Sequence, residues 1–139
     1  MKLSEMRPLF VYGTLLFPEI LRLLLGRLPG SSEAVLHGYH RFSIHDGADI
    51  RPYPAVFPRA ASEVRGLLLY GLSPKEHTVL DAYEGEDYVK TAVSVLQDDQ
   101  RVEASVYIWR ADKRGQLRGV WDPEQFMRQH LGAYLKHMK

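Results

Sequence analysis

Leu9-Phe10-Val11-Tyr12-Gly13-Thr14-Leu15-Leu16 is an apolar run with an aromatic that ends on a glycine, and it reads as a short buried strand running straight into a turn. Such a turn can point bare N–H groups at a ligand. A second segment, Leu80-Asp81-Ala82-Tyr83-Glu84-Gly85, reads as the end of a helix, with Glu84 in its last turn and Gly85 placed to adopt the left-handed conformation that closes helices. Together the two segments predict a carboxylate facing a polar backbone loop.

The stretches around these segments supply the rest of the architecture. Pro18 opens an apolar run through Ile20, Leu21, Leu23, Leu24 and Leu25 that Gly26 can end, which predicts a buried helix with proline in its first turn. Residues 34 to 42 predict a strand. Asp46-Gly47-Ala48-Asp49 and the prolines at 52, 54 and 58 then predict a long irregular connection over about residues 43 to 60, of the kind that shapes a substrate pocket. Val64 to Tyr70 reads as a central strand. Ser73-Pro74-Lys75-Glu76 is a capping box with proline at the first helical position, and its helix runs to Glu84. Val89, Thr91, Val93 and Val95 alternate on one face of the next strand, Gln97-Asp98-Asp99-Gln100 turns the chain, and Val102 to Trp109 returns as an antiparallel partner. In the tail, Asp122 can cap a helix, Pro123 fits its first position and Gln125 can reach back. Phe126, Met127, Leu131, Tyr134, Leu135 and Met138 then form one apolar face that docks on the domain. Several antiparallel strands with a few inserted helices make an α+β fold. No repeat or linker divides the 139 residues, so 1–139 reads as a single domain.

Composition narrows the function classes. Eighteen basic and seventeen acidic side chains leave a formal net charge of +1, with no basic surplus to hold a phosphate backbone, so nucleic acid is not an expected partner. The absence of cysteine excludes disulfides, thiolate metal sites and a cysteine nucleophile, and is compatible with a reducing cytoplasm. Met1-Lys2-Leu3-Ser4-Glu5-Met6-Arg7-Pro8 has no apolar core of signal-peptide length, and no run approaches the roughly 18 apolar residues of a membrane span. The expectation is a soluble cytoplasmic protein with no membrane partner.

The two quoted segments also carry a resemblance. The chain resembles the gamma-glutamylcyclotransferase-like family, whose signatures are a strand-ending YGTL loop and a glutamate in an LDxxEG segment followed by an aromatic and a strand. Both stand here in that order, as Tyr12-Gly13-Thr14-Leu15 and Leu80 to Gly85 followed by Tyr88. The similarity extends through Tyr53-Pro54-Ala55, Val64 to Leu69, Tyr88-Val89-Lys90 and Ala104 to Tyr107, and Trp121 to Phe126 is similar to the plant avirulence-induced branch. Lys90 stands where the family often carries arginine, offering a point charge in place of a bidentate fork. The resemblance implies a small, largely antiparallel mixed sheet curled into a barrel with helices around it.

For Glu84, the negative end of a helix, the neighbouring Asp81 and Glu86, and burial in a pocket would all raise the pKa. A carboxyl poised nearer neutrality can take a proton from an ammonium and return one to a departing amine. A solvated helix-end glutamate is the plain alternative, and the paired motif weighs against it. The resemblance implies a small-molecule substrate with a gamma-glutamyl group, whose α-amine attacks its own γ-carbonyl to release 5-oxoproline and a free amine. Glu84 is then the catalytic acid–base residue, and Tyr12, Gly13, Thr14, Leu15 and Tyr88 are the substrate-binding candidates. The amides of Gly13, Thr14 and Leu15 are candidates for holding the α-carboxylate or the developing oxyanion, and both roles stay open. Tyr12 has two readings, pocket lining and core packing. Tyr88 either offers its hydroxyl near the glutamate or is structural. No metal or organic cofactor is required. His37, His40 and His45 do not read as a metal site, since positions 37 and 40 of an extended strand project to opposite faces. No GxSxG nucleophile elbow occurs, and the Thr14 hydroxyl is a ligand contact at most. The competing class is a non-catalytic small-ligand-binding or regulatory module on the same fold. Neither the leaving group nor the oligomeric state is written in the residues.

Overall fold

A three-residue strand holds the first motif. In the computed structural model, which describes residues 7–139, Leu9–Val11 form β1 and all three side chains are buried. Of the N-terminal stretch read for a signal peptide, Met1 to Met6 lie outside the described residues. The chain continues through α1 (Pro18–Leu25), β2 (Gly30–Asp46), β3 (Asp49–Tyr70), α2 (Pro74–Glu84), β4 (Tyr88–Gln97) and β5 (Gln100–Trp109). A two-residue β6 (Leu117–Arg118) and the helices α3 (Pro123–Gln129) and α4 (Leu131–Met138) complete it.

The strands close on themselves. β1 runs antiparallel to β3, with Phe10 opposite Leu68, and parallel to β5, with Leu9 opposite Ser105. β3 pairs with β2, β2 meets β4 at Val35 and Leu96, and β4 pairs with β5 along its whole length. The result is a closed five-stranded mixed barrel, with four α-helices around it among the described residues. Its α+β class matches the expectation.

Two apolar layers explain why β1 reads as a continuous hydrophobic run instead of an alternating one. Phe10 points into the barrel with Leu36, Val56, Val64, Leu68 and Val106. Leu9 and Val11 face outward beneath the helices, where Leu15, Ile20, Leu80, Trp121, Phe126 and Leu131 pack. Each such burial contributes roughly 1.5–3 kcal/mol. The strands approach so closely that a Cβ on Gly66 would lie 2.2 Å from the Val11 carbonyl oxygen and 2.8 Å from the Phe10 ring.

Two expectations are corrected. The segment from 43 to 60 is not an irregular connection, because β2 and β3 form one long hairpin that turns at Gly47. Pro52 falls within the ladder irregularity near Ile44, while Pro54 and Pro58 pair with Ser43 and Tyr39 at the borders of the irregularities near Ile44 and Gly38. Their carbonyls remain useful acceptors: Pro52 takes the Trp121 indole N–H at 2.7 Å and Pro54 the Tyr88 hydroxyl at 2.7 Å. The tail is two helices, not one, since His130 leaves helical geometry between them (φ −128°). Asp122 caps α3 through the Glu124 N–H at 3.0 Å, whereas Gln125 bonds forward to Gln129. The apolar face does dock, with Phe126 and Leu131 buried, while Met127 stays half exposed. The expected capping box of α2 is complete, with Ser73 and Glu76 exchanging bonds of 3.1 and 3.0 Å.

The β1–β3 approach generates a stability test. Gly66→Ala is expected to cost about 3 kcal/mol, the upper end of overpacking penalties, because backbone cannot yield as a side chain would. Gly132→Ala, on α4 with nothing within 4 Å of the new methyl, should instead gain up to ~1 kcal/mol from helix propensity. Denaturant midpoints of the two variants measure both.

Candidate active site

β1 ends at Val11, but β3 and β5 continue beyond it and meet each other at Val56 and Ile108. The chain leaving β1 therefore enters a slot in the barrel wall. There it folds into a 3-10 turn over Thr14–Leu16, closed by Leu16 N–H to Gly13 O at 3.0 Å and Phe17 N–H to Thr14 O at 3.2 Å. The first N–H groups of such a turn have no carbonyl partner within it. Gly13 is required for space, since a Cβ there would lie 2.8 Å from Pro54 Cγ. Its φ of −125° does not need glycine.

Beside the turn is a cavity of about 130 Å³. Tyr12, Gly13, Thr14 and Leu15 form one wall, and Glu84 and Tyr88 lie on others, so all six candidates border one space. Tyr53, Pro54, Tyr83, Tyr107 and Tyr134 complete the polar part of the lining. Both readings of Tyr12 hold, because it is 6% exposed in the barrel core and also borders the cavity. Its hydroxyl donates to the Tyr107 carbonyl at 2.7 Å. Tyr88 donates its hydroxyl to the Pro54 carbonyl and packs edge-on against Trp109, contacts that fit its structural reading, while it also borders the cavity. The Thr14 hydroxyl lies 2.7 Å from that of Tyr83, which lies 2.7 Å from that of Tyr134.

Glu84 is the last residue of α2, and the chain turns away at Gly85 with φ 84° and ψ −170°. The positive φ explains the glycine, but the conformation is extended in ψ and is not the left-handed closure expected. The Glu84 carboxyl reaches into the cavity, and among the described residues none donates a hydrogen bond to it. Burial, and then the nearby Asp81 charge, raise its pKa from 4.5 to about 8. Burial also raises the phenols of Tyr12, Tyr53, Tyr83, Tyr88, Tyr107 and Tyr134, so they stay protonated around the carboxyl. The cavity thus holds one group able to exchange a proton near neutrality within a wall of neutral hydroxyls.

Of the residues sequence reading missed, Tyr83 sits inside the Leu80–Gly85 motif and was within reach of it. Tyr53, Tyr107 and Tyr134 come from three distant elements and share no spacing that marks them. Lys90 does not line the cavity but lies 3.2 Å from Asp81 Oδ1 and 2.9 Å from His77 Nδ1, two single contacts that an ammonium fits. Of His37, His40 and His45, His40 Nε2 lies 2.8 Å from the Gly119 carbonyl and His37 lies 4.0 Å from Glu63.

The raised carboxyl predicts a pH-dependent stability. Between about pH 4.5 and 8 the folded protein holds a proton on Glu84 that the unfolded chain has released, so stability falls as pH rises through that window. Glu84→Gln removes this term. Its stability relative to wild type should increase by on the order of a few kcal/mol between pH 5 and pH 9, measured by chemical denaturation. A pH-independent difference would contradict the burial of the charge.

Known proteins share this sequence pattern and fold. The family model described as gamma-glutamyl cyclotransferase, AIG2-like, matches residues 9–123. AIG2-like protein D of Arabidopsis thaliana is 36% identical over 137 residues, covering 96% of this chain and 88% of that protein. A solution structure of an Arabidopsis thaliana protein, 28% identical, superposes with a TM-score of 0.72 over 99% of this chain and 91% of its own. A structure of a gamma-glutamyl cyclotransferase, 14% identical, shares the fold with a TM-score of 0.61 over 95% of this chain and 85% of its own. The chain belongs to the AIG2-like gamma-glutamyl cyclotransferase family.

Proposed function

We propose that the protein is a cyclotransferase that converts a gamma-glutamyl amino acid or gamma-glutamyl amine to 5-oxoproline and the free amine. The observation that carries this reading is the small cavity in which the Glu84 carboxyl and the Gly13–Leu15 turn border the same space. Residues 1–139 act in this reading as one domain in the cytoplasm.

The residues present suit the reaction because the substrate carries its own nucleophile. Glu84, with its pKa raised to about 8, lies much nearer in acidity to the α-ammonium of the substrate than an ordinary carboxylate does, so the proton transfer between them is less uphill. Once the ammonium has given its proton to Glu84, the amine nitrogen attacks the γ-carbonyl carbon and the C–N bond of a five-membered ring forms. The carbonyl oxygen becomes an oxyanion. It collapses as the bond to the leaving amine breaks; Glu84 returns its proton to that nitrogen, and the ring nitrogen, which kept two hydrogens on attack, gives up one to become the lactam N–H, so that the amine departs as an ammonium. Folding the substrate for intramolecular attack corresponds to an effective molarity of roughly 10⁵–10⁸ M. The amides of Gly13, Thr14 and Leu15 supply donors for the α-carboxylate or the oxyanion, each well-placed oxyanion donor being worth about 3 kcal/mol. Among the residues lining the cavity none is cationic, which leaves main-chain N–H groups and hydroxyls to balance substrate charge. The tyrosines and Pro54 limit the room around the reacting atoms and displace water from them.

Glu84→Gln should lower kcat by roughly 10²- to 10⁴-fold with a much smaller effect on KM, since the amide keeps the shape and cannot accept the proton. More than about a tenth of wild-type kcat in the variant would rule out the assignment. The nucleophile is tested with paired substrates, one bearing a free α-amine and one N-acetylated. The free amine should yield 5-oxoproline and the acetylated compound should be inert. Amine release from the acetylated compound at a comparable rate would exclude cyclisation, and inactivity toward a panel of gamma-glutamyl compounds would favour a binding module.

A further inference from the structure

Asp81 lies one helical turn before Glu84, three residues earlier on α2 and so on the same side of the helix. It accepts the Tyr107 hydroxyl at 2.6 Å on Oδ1, and Lys90 Nζ stands 3.2 Å from the same oxygen. Lys90 is in turn 2.9 Å from His77 Nδ1, on the first turns of the same helix, and lies over the Tyr107 ring at 5.8 Å. Tyr107 has a second attachment, because its carbonyl accepts the Tyr12 hydroxyl. One residue of β5 therefore ties the stem of the substrate loop to the end of the helix that bears Glu84.

Resting on the acid–base reading above, we propose that Asp81, held by Tyr107 and Lys90, is a positioning residue that fixes the last turn of α2 and tunes the proton exchange of Glu84 through its charge. Neither Asp81 nor Lys90 borders the cavity, so neither touches a substrate bound there. As a surface ion pair the contact contributes little stability. Its effect is directional. The groups facing Glu84 from the other elements are Tyr12, Tyr53, Tyr88, Tyr107 and Tyr134, with Tyr83 on α2, and all remain neutral near pH 8. Asp81 is the charge whose field favours a proton on Glu84. Lys90, at ion-pair distance, partly cancels that field.

The two charges therefore predict opposite effects. Asp81→Asn should move the titration of Glu84 to lower pH and Lys90→Met should move it to higher pH, each by about one pH unit, at the low end of the effect of a neighbouring charge. The titration is read directly by carboxyl NMR on protein carrying ¹³C-labelled glutamate, with Glu84→Gln assigning the signal. The acid limb of kcat/KM should follow it in each variant. Asp81 and Lys90 are 51% and 27% exposed, so both substitutions are outside the core. Should Asp81→Asn fail to fold, Lys90→Met alone still decides the question by the sign of its shift. A merely structural role would lower activity or stability without moving the midpoints in opposite directions. Unmoved midpoints, or shifts of the same sign, would overturn the proposal. Opposed shifts in a protein that turns over no gamma-glutamyl compound would sustain the positioning of Glu84 and defeat the cyclotransferase reading instead.

Discussion

The approach of β1 to β3 at Gly66, where the Val11 carbonyl leaves no room for a side chain, is the contact on which the site depends. It seats β1 deep enough for Phe10 to fill the barrel while Leu9 and Val11 anchor the helices. It also fixes where β1 stops. Since β3 and β5 run on past that point, the end of β1 becomes a break in an otherwise closed wall, and the chain crossing the break must satisfy its amides without a strand on either side. The turn that follows β1 borders the cavity, so a polar stretch of main chain lies at the edge of an apolar core.

The same arrangement sets a cost on the other side of the cavity. The carboxyl at the end of α2 is half-buried in the cavity, where reduced hydration and the Asp81 charge hold its proton more tightly. Most of the surrounding phenols are engaged, Tyr12 and Tyr88 with backbone carbonyls, Tyr83 with Thr14 and Tyr134, and Tyr107 with Asp81, so they hold the walls in place around Glu84. Stability given up at Glu84 is offset in the two cores. This division matches a scaffold that keeps strain local to one side chain.

How much of this was legible follows from the range of each interaction. The capping box at Ser73, the hairpin around Asp98 and Asp99, and the proline-led helix at Pro18 are local, and their residues announce them within four or five positions. Barrel closure is not local, for it rests on pairings such as Leu9 with Ser105 and Val35 with Leu96 that no periodicity encodes, and only the family resemblance anticipated it. The prolines at 52, 54 and 58 misled because their missing N–H groups normally mark a loop, whereas here they sit in or beside ladder irregularities, and side-chain donors from Trp121 and Tyr88 satisfy the carbonyls of Pro52 and Pro54. In the site, the two motifs located Glu84 and the loop. Tyr107 and Tyr134 escaped notice because a tyrosine on a strand or an apolar helix face looks like packing until the fold brings it to the cavity.

The most direct measurement is a crystal structure of the protein with 5-oxoproline bound. The ring should occupy the cavity with one of its oxygens about 2.7–3.1 Å from main-chain N–H groups of Gly13 to Leu15, and with its nitrogen facing the Glu84 carboxyl. A ring seated elsewhere on the protein, or turned so that its nitrogen points away from Glu84, would contradict the assignment of this cavity as the place where the ring is closed.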